Sequence, residues 1–594
     1  MKLADALVTT LRDWGVEYVF GVSGANIEHV HDSIHRLGDG RLQSVMTKSE
    51  VGAAFMADGR ARIHRQLGVC CATSGGGMMN LAVGIAESYA ESVPVLAIVG
   101  QTARTFDGKG GFQDSSGIGR TVNALNLWRS MTKYAERIDE PSMFWDTLAT
   151  AVREALTGRP GPVALLFPRD VYDLEVGERP SDFPESLDKL LAFERADGVA
   201  GVVELFNRLR EAERPVLMIG TGAARSLAPQ AVASFAIEAG IPVVTTMGNT
   251  AAFPHEHPLY LGMVGVAGHP SAHDYLNQEA DLIVAVGTGL NVLTRGPIGT
   301  GLERADVGVV NVDAGEATRS TDVACVVEAD AGAVFEALRR LLKKKPFYTG
   351  SPANYSLSRF VPKLAPRPED EAPVKTEEVL LQSRAIKILE GFLPQQGNLL
   401  FDAGNCAATA MHHLNVPENT TTTIALGMGG MGYAIAAATG AQIGQSEGRT
   451  MVLCGDGAFM MLGLEVHTAV EERLPILFVV FNNMKHGMCV TRQQLFFNGR
   501  LECTRYDEVD VSALSRGLGR EEGLWVGRAS SEDELREQLM TYTSFNADRP
   551  GVLELVLPVE EIPPFTPFLQ KGAETYVVPA PQKTGEGLVV QPAA

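Results

Sequence analysis

Short apolar runs alternate with longer amphipathic stretches along most of this 594-residue chain. Near the start, residues 69–72 and 95–99 are typical of buried strands, and residues 79–92 between them are typical of a helix. Strands that alternate with helices at this spacing form βαβ units, which build parallel sheets. The chain is therefore predicted to be an α/β protein with doubly wound parallel sheets, and its length favours several domains over one core.

Polar, proline-bearing segments separate three such blocks. A connector of this composition is expected to run extended over the surface. We predict an N-terminal domain, a central α/β domain, a linker, a C-terminal domain and a tail, over residues 1–178, 190–345, 346–375, 376–560 and 561–594. Each of the three domains is expected to be a doubly wound parallel sheet.

The charge balance of the chain limits its partners. A formal net charge of -20 argues against nucleic acid and anionic membranes, because phosphate surfaces require basic proteins. The N-terminus lacks the features of a secretory signal, and no apolar run reaches the length of a membrane span, so we expect a cytoplasmic location. The spacing of the seven cysteines suggests neither a disulfide framework nor a zinc site.

The most informative segment, residues 451–483, combines two strands with a helix predicted over 459–473. Asp456 follows the first strand and Asn483 follows the second. Because crossover-connected strands are parallel, both side chains should reach one crevice at the carboxyl end of the sheet. Carboxylate and amide oxygens suit Mg²⁺, which usually adds phosphate oxygens and water to one or two protein ligands.

Glycines on both sides of Asp456 extend this prediction to a phosphate ligand. Gly455 and Gly457 allow the backbone to approach phosphate closely, and the start of the following helix presents free N–H groups to an anion. The segment therefore predicts a site for a metal-chelated diphosphate. The alternative is a chance glycine turn followed by an asparagine-rich loop.

The Gly-Asp-Gly turn and the later asparagine pair resemble the signature of thiamine-diphosphate enzymes, and more narrowly the acetolactate synthase large subunits. This resemblance covers about residues 1 to 560. It implies Mg²⁺ ligation by Asp456, Asn483 and the backbone carbonyl of Lys485. It also implies further cofactor contacts, at Gly24, Gly404, Asn405, Gly429, Met431, Gly455, Gly457, Ala458, Asn483 and Gly487.

Residues 427–432 resemble the loop beside the thiazolium ring in that family, where Met431 would bend the cofactor. The same loop also fits the GxGxxG dinucleotide fingerprint, with Glu447 near the expected position of the acidic residue. A dehydrogenase would require a strand, this turn and a helix as the first βαβ unit of a nucleotide-binding fold.

Glu50 is the candidate catalytic acid, because residues 47–62 resemble the glutamate-bearing helix of the family. The resemblance implies that this carboxyl group hydrogen-bonds a ring nitrogen of the cofactor's aminopyrimidine. By itself, an acid at a helix start can also simply offset the helix dipole. Ser49 is a departure, because acetolactate synthases carry histidine there.

The family resemblance also implies a homodimer or homotetramer whose active site combines Glu50 of one subunit with the diphosphate site of another. Candidate substrate contacts are Phe112, Gln113, Lys133, Met488 and Arg492. Arg492 replaces a tryptophan of the standard synthases and could bind a carboxylate, or point to solvent. The central-domain turn at residues 286–291 departs from that of flavin-containing synthases, which leaves FAD open as a cofactor.

Three functions remain open. The first is a carboligase of acetolactate-synthase type, which decarboxylates a 2-keto acid such as pyruvate and transfers the acyl carbanion to a second carbonyl. The second is a related lyase, decarboxylase or acyltransferase for a specialised 2-keto acid or acyloin, because Gly75-Gly76-Gly77 is similar to benzaldehyde-lyase-like sequences. The third is a non-catalytic protein that keeps the fold, which the presence of Glu50, Asp456 and Asn483 together disfavours.

Overall fold

The computed structural model describes residues 1–188, 201–347, 380–519, 523–557, 560–565 and 577–578. Three six-stranded sheets account for eighteen strands, and each of these three sheets is parallel with helices between its strands. This confirms the predicted α/β class. The predicted linker over 346–375 and tail over 561–594 lie almost wholly outside the described residues.

The first sheet has the strand order β2-β1-β3-β4-β6-β5. Its strands are β1 Tyr18–Gly21, β2 Gln43–Met46, β3 Gly68–Ala72, β4 Val95–Gln101, β5 Tyr134–Arg137 and β6 Val163–Pro168. Its helices are α1 Leu3–Asp13, α2 Glu28–Leu37, α3 Glu50–His64, α4 Gly76–Ala90, α5 Ala124–Arg129 and α6 Phe144–Leu156. Strands β3, β4 and β6 are buried at every residue, as expected for a parallel sheet covered on both faces.

The helix predicted over residues 79–92 is observed as α4, shifted toward the N-terminus. Gly75 has a φ of 66°, a left-handed conformation that glycine adopts without strain. The turn at Gly75 therefore lets the helix begin sooner than the apolar pattern indicates.

The second sheet has the order β12-β11-β10-β7-β8-β9. Its strands are β7 Pro215–Ile219, β8 Val243–Thr246, β9 Tyr260–Val264, β10 Leu282–Val286, β11 Asp306–Asn311 and β12 Cys325–Glu328. Its helices are α7 Val202–Glu211, α8 Thr221–Ala224, α9 Gln230–Ala239, α10 Pro270–Asp274, α11 Val292–Arg295, α12 Gly299–Arg304, α13 Gly315–Thr318 and α14 Ala331–Lys344. In the register of the central strands, Val284 of β10 pairs with Leu217 and with Gly308.

The third sheet has the order β14-β13-β15-β16-β18-β17. Its strands are β13 Gln396–Phe401, β14 Asn419–Ile424, β15 Arg449–Gly455, β16 Ile476–Asn482, β17 Trp525–Ala529 and β18 Gly551–Val556. The helices are α15 Gln382–Glu390, α16 Asn405–His413, α17 Tyr433–Gln442, α18 Asp456–Leu462, α19 Val466–Glu471, α20 Gly487–Phe496, α21 Val511–Arg516 and α22 Glu532–Phe545. A short antiparallel pair, β19 Glu560–Glu561 and β20 Val577–Val578, follows.

The chain divides into two compact units. The first unit contains the first sheet together with α17, α19 and most of α18, and comprises Met1–Ala196, Ala425–Ser446 and Ala458–Ile476. The second unit contains the other two sheets, and comprises Asp197–Ile424, Glu447–Gly457 and Leu477–Ala594. Each unit has its own buried apolar core.

The single helix predicted over residues 459–473 is wrong. Two shorter helices, α18 and α19, are separated by a 3₁₀ turn at Gly463–Glu465. A Cβ atom on Gly463 would lie 2.8 Å from the ring of Phe459, so the chain bends back closely on the preceding helix at this glycine. Apolar periodicity does not reveal such a break, because both helices continue the same buried pattern.

Within the described ranges, no helix is long and apolar enough to cross a membrane. Five of the seven cysteines are buried, whereas Cys489 is half-buried and Cys503 is exposed.

Candidate cofactor and metal site

Asp456 lies at the junction where β15 ends and α18 begins. Its side chain is only 2% exposed. One carboxylate oxygen accepts the N–H of Gly457 at 2.8 Å and the other accepts the N–H of Met484 at 2.6 Å. Burial raises the pKa of Asp456, whereas the neighbouring Tyr506 hydroxyl and the backbone N–H groups act in the opposite direction. The sheet thus holds a buried carboxylate at the carboxyl end of β15.

The two asparagines after β16 have different environments. Asn482 is buried, and its amide donates to Glu554 at 2.7 Å and to the carbonyl of Val509 at 2.9 Å, which fixes the end of the strand. Asn483 is half-buried, and its side-chain oxygen accepts the N–H of Lys485 at 3.2 Å. Asn482 is therefore occupied within the fold, and Asn483 belongs to the turn beside Asp456.

A tight turn brings the three predicted metal ligands to the same edge of the sheet. Met484 has a φ of 58°, an uncommon left-handed conformation for a non-glycine residue, and its N–H is bonded to Asp456. Asn483 and Lys485 are the sequence neighbours of Met484. The bond from Met484 therefore fixes this turn beside Asp456. A carboxylate, an amide oxygen and a backbone carbonyl are the hard oxygen donors that Mg²⁺ prefers.

Three glycines assigned to the cofactor adjoin open space. A Cβ atom built on Gly404, Gly429 or Gly455 would meet no atom within 4 Å, and Gly404 and Gly429 have positive φ angles of 133° and 67°. Open space beside a glycine lets a ligand approach the backbone closely. Asn405 and Gly487 are the first residues of α16 and α20, where helix N–H groups suit an anion. The residues of the second unit, Gly404, Asn405, Gly455 and Gly487, therefore fit a diphosphate and its metal.

Glu50 is the first residue of α3, directly after the N-cap residue Ser49. Its half-buried carboxylate accepts a 2.9 Å hydrogen bond from the amide of Asn80 on α4. A Cβ atom on Gly77 would lie 3.1 Å from the other carboxylate oxygen, so only a glycine leaves that oxygen clear. Helix α4 thus orients Glu50 from one side.

A second carboxylate fixes the start of α3. Glu465 is 1% exposed, and it accepts the backbone N–H groups of Lys48 at 3.1 Å and Ser49 at 2.9 Å. It also accepts the hydroxyls of Ser49 and Thr468, both at 2.9 Å. Position 49, where acetolactate synthases carry histidine, is therefore occupied by a serine that is bonded to a buried acid and directly precedes Glu50 in the chain.

The loop over residues 427–432 precedes α17. A Cβ atom on Gly430 would lie 3.0 Å from Phe55, and Gly432, with a φ of 86°, lies against Leu462, whereas Gly429 is open. Half-buried Met431 lies between these two packed glycines. The loop is thus packed against other residues at Gly430 and Gly432 and accessible at Gly429.

The strand order excludes the dinucleotide reading of this loop. The loop connects β14 to β15, but β13 lies between these strands in the sheet. Glu447 precedes β15, whereas the acidic residue of a dinucleotide fold follows the second strand. The GxGxxG pattern is therefore not the first βαβ unit of a nucleotide-binding fold.

The candidate substrate residues of the first unit differ in their surroundings. Phe112 is 87% exposed, and Gln113 has a φ of 64° and lies 3.5 Å from the amide of buried Asn26. Lys133 donates to the carbonyls of Glu154 and Thr157 near the end of α6. The structure therefore brings Gln113 into a polar cluster, and Lys133 is engaged by a helix end.

The candidate substrate residues of the second unit both lie on α20. Met488 packs near Ile562, and exposed Arg492 donates to the sulfur of Cys489 at 3.2 Å. An exposed guanidinium on the first turns of this helix can still reach an anion. Its contact with substrate remains a prediction.

The central-domain turn is filled by the protein itself. The N–H of Gly222 donates to the carbonyl of Gly287 at 2.8 Å, and a Cβ atom on Gly287 would lie 2.2 Å from the nitrogen of Ala223. Dinucleotide folds use open glycines at such a turn to approach pyrophosphate. Here the glycines instead allow two turns to pack together.

Three polar residues that bond the candidate residues or their backbone were not predicted from the sequence: Asn80, Glu465 and Glu87. Asn80 lies three residues after Gly77, and an amide at that distance on one helix carries no distinctive signal. Glu465 and Glu87 are buried acids inside apolar stretches. A buried charge requires a partner, so an isolated acid in such a stretch is the signal that could have identified them.

Comparison with known proteins identifies the family. Models of the thiamine pyrophosphate enzymes match the N-terminal TPP binding domain at residues 1–118, the central domain at 202–338 and the C-terminal TPP binding domain at 402–555. The acetolactate synthase large subunit of Corynebacterium glutamicum is 30% identical over 574 residues, covering 94% of this chain and 87% of that protein. The chain belongs to the thiamine pyrophosphate enzymes.

Other relatives agree with this membership. The Escherichia coli acetolactate synthase isozyme 2 large subunit is 29% identical over 96% of this chain and 98% of its own length. A probable acetolactate synthase large subunit of Methanocaldococcus jannaschii is also 29% identical, over 96% and 94%. This thiamine pyrophosphate enzyme is thus similar to acetolactate synthase large subunits along nearly its whole length.

A solved structure shares the fold. The thiamine diphosphate-dependent 4-hydroxybenzoylformate decarboxylase of Rhodococcus jostii superposes with a TM-score of 0.76 over 94% of this chain and 99% of that one. At 20% identity this likeness concerns the fold alone.

Proposed function

We propose that this enzyme is a thiamine-diphosphate- and Mg²⁺-dependent carboligase of acetolactate-synthase type. It would decarboxylate a 2-keto acid such as pyruvate and join the acyl unit to a second carbonyl. The observation that carries the proposal is the turn after β16, where the N–H of Met484, the residue between Asn483 and Lys485, is bonded to the buried carboxylate of Asp456. The length over which the acetolactate synthases match supports the type of reaction.

Each proposed role follows from the chemistry of the residue. Asp456, Asn483 and the Lys485 carbonyl would hold Mg²⁺, and the open glycines Gly404 and Gly455 would admit the diphosphate. When bound, thiamine diphosphate would supply a nucleophilic thiazolium carbon and a ring that can accept the electron pair released as CO2 leaves. Glu50 would hold a proton at the aminopyrimidine ring nitrogen, with its carboxylate oriented by Asn80.

Two exposed apolar surfaces of the first unit support an oligomer. Large apolar side chains are exposed on α4 and on the stretch from α18 to the 3₁₀ turn, all in the first unit: Met79, Val83, Met460, Met461 and Leu464. Apolar side chains clustered on two helices are typical of an interface. We propose a homodimer or homotetramer in which Glu50 of one subunit serves the diphosphate site of another.

The proposal also covers the location, the domain division, and the residues that contact cofactor and substrate. We propose a cytoplasmic location and the five-part division at residues 1–178, 190–345, 346–375, 376–560 and 561–594. Gly24, Ala458, Gly487 and Met431 would line the cofactor. Phe112, Gln113, Met488 and Arg492 would contact the substrate, and Lys133 would do so only after leaving its two carbonyl partners.

Product analysis with pyruvate tests the reaction. The purified enzyme, with thiamine diphosphate and Mg²⁺, is incubated with pyruvate, and acetolactate and acetaldehyde are quantified by NMR. Acetolactate as the main product is expected. Acetaldehyde alone would favour the decarboxylase alternative, and no turnover of pyruvate by enzyme that binds the cofactor would exclude the acetolactate reaction.

An acyloin assay addresses the second candidate function. The turn Gly75-Gly76-Gly77 is similar to that of benzaldehyde-lyase-like sequences and leads directly into α4, which orients Glu50. If pyruvate is not consumed, cleavage of an aromatic acyloin to aldehydes is measured under the same conditions. Aldehyde release that requires the cofactor would support the lyase.

A further inference from the structure

Glu87 is a buried carboxylate on α4 that faces the loop before α17. Its side chain is 0% exposed. It accepts the backbone N–H groups of three successive loop residues, Gly427 at 3.1 Å, Met428 at 2.6 Å and Gly429 at 3.1 Å. Both carboxylate oxygens are used, because one accepts from Gly427 and the other from the next two residues. All of these residues belong to the first unit.

The charge of Glu87 is also balanced by Arg62, which contacts the oxygen that accepts the N–H of Gly427. The guanidinium of Arg62 lies 3.4 Å from Glu87, 2.6 Å from Asp58 and 3.7 Å from Glu91, and it is buried. These carboxylates and Tyr433 raise the pKa of Arg62 well above its usual range although burial alone would lower it, so the group is cationic.

Three carboxylates, those of Asp58, Glu87 and Glu91, surround the single guanidinium of Arg62. Asp58 has its own neutral partners, the hydroxyls of Tyr433 at 2.7 Å and Ser88 at 2.8 Å. The corresponding partners of Glu87 are the loop N–H groups. A buried carboxylate without such donors would be costly, so the carboxylate and the loop conformation stabilise each other.

Shape reinforces this arrangement. A Cβ atom on Gly427 would lie 2.5 Å from Ala90 and 3.2 Å from Glu91, so the loop lies flush on α4 only because position 427 is glycine. Gly429 has a φ of 67° and an open outer side, although its N–H points to Glu87. The carboxylate thus binds the loop from beneath and leaves its outer side accessible.

We propose that Glu87 is a positioning residue that holds the loop over residues 427–431 in its cofactor-binding conformation. The proposal rests on the proposed function, in which Gly429 and Met431 line the cofactor. Glu87 itself would touch neither cofactor nor substrate. Removing its carboxylate should release the loop, so that cofactor binding has to reorder it.

The test compares Glu87→Gln with Glu91→Gln. Glutamine keeps the size of Glu87 but turns an N–H donor toward the loop, which removes at least one acceptor. Glu91 shares Arg62 and bonds none of the three loop N–H groups. Affinity for thiamine diphosphate with Mg²⁺ is measured by calorimetry, and exchange of the 427–429 amides by hydrogen–deuterium exchange.

The expected result is an affinity about tenfold weaker in Glu87→Gln, from the loss of one hydrogen bond to a charged group, with faster exchange at residues 427–429. Glu91→Gln should stay within about twofold of wild type. Equal affinities and equal loop exchange in folded Glu87→Gln and wild type would overturn the proposal. A lower unfolding temperature with unchanged affinity would also overturn it, because that indicates a purely structural role.

A loop-side variant keeps the test decisive if Glu87→Gln does not fold. Gly427→Ala leaves the charges intact but drives a methyl group into Ala90, which lifts the loop from Glu87. It should weaken cofactor affinity to a similar extent. In cofactor-free wild type, the 427–429 amides should already exchange slowly, and unprotected exchange there would refute the proposal. Failure of wild type to bind the cofactor would instead refute the proposed function.

Discussion

At the scale of single residues, burial decides the chemistry of the acids. Asp456, Glu87 and Glu465 are all nearly inaccessible, and each accepts backbone N–H groups. Glu50 is only half-buried and accepts from an exposed asparagine. The first three carboxylates are thus fixed by backbone N–H groups, whereas the only side-chain donor described for Glu50 is the amide of Asn80.

Glu50→Gln should keep cofactor affinity within about threefold but lower kcat by about a hundredfold or more, because an amide cannot supply the acid–base function. The expected split is measured by calorimetry and by steady-state kinetics. Asp146→Asn, at a first-turn acid of α6, is a matched control for changing a helix-start charge. Normal turnover of Glu50→Gln would remove the assigned role.

Acidification should weaken Mg²⁺ binding at Asp456. Its pKa is raised by burial, so a proton competes with the metal at a higher pH than at an ordinary carboxyl group. Acidification has the opposite effect on the free energy of unfolding of the metal-free protein. An acid whose pKa is raised in the folded state stabilises the fold as the pH falls through that pKa. Calorimetric titration with Mg²⁺ and cofactor across a pH series measures the effect.

The titration with Asp456→Asn identifies the group responsible. This variant should bind Mg²⁺ weakly and lose the pH dependence that wild type shows. A wild-type affinity that stays constant down to the ordinary carboxyl range would contradict the assignment.

At the scale of elements, the position of Glu50 depends on the start of α3. Ser49 caps the helix by accepting the N–H of Gly52 at 3.0 Å and donates its hydroxyl to Glu465. Glu465 comes from the 3₁₀ turn that divides α18 from α19. The break in the predicted helix is therefore what presents this carboxylate to the α3 terminus.

Glu465→Gln should lower the free energy of unfolding by about 2 kcal/mol, because buried donors at Lys48 and Ser49 lose a charged acceptor. It should also reduce kcat more than it changes cofactor affinity, since Glu50 shifts with the helix start. Urea unfolding and kinetics measure both effects. Glu471→Gln, which removes an exposed acid paired with Lys48, is the control and should be nearly neutral.

The sequence predicted the elements better than their ends and breaks. Strands β3, β15 and β16 contain apolar runs, so their positions could be predicted from the sequence. The break at Gly463 and the early start of α4 depend on close contacts and on a positive φ, which periodicity does not encode. Glu87 and Glu465 have partners hundreds of positions away, and a single sequence does not show those pairings.

At the scale of the whole molecule, the proposed shared active site requires association of subunits. The exposed apolar side chains of α4 and α18 are unlike the charged surface expected of an acidic monomer. The alternation of apolar runs predicted the three sheets, but the exposed face could not be predicted, because apolar residues of an interface and of a core look alike in sequence.

Val83→Glu and Met461→Glu should each give monomers with little activity, since a charge is buried at the interface. Light scattering after gel filtration measures the mass, and circular dichroism checks that the fold is retained. Ile237→Glu, at an exposed apolar position of α9, is the control and should keep the wild-type assembly. Fully active monomers would contradict a shared active site.

We propose that the edge of the third sheet binds a Mg²⁺-chelated diphosphate through Asp456. Cofactor-free protein is titrated calorimetrically with thiamine diphosphate, with and without Mg²⁺, alongside Asp456→Ala. We expect saturable binding near one cofactor per chain that requires Mg²⁺ and is lost in the variant. Absence of binding to the folded chain, or binding that is indifferent to both Mg²⁺ and Asp456, would contradict it.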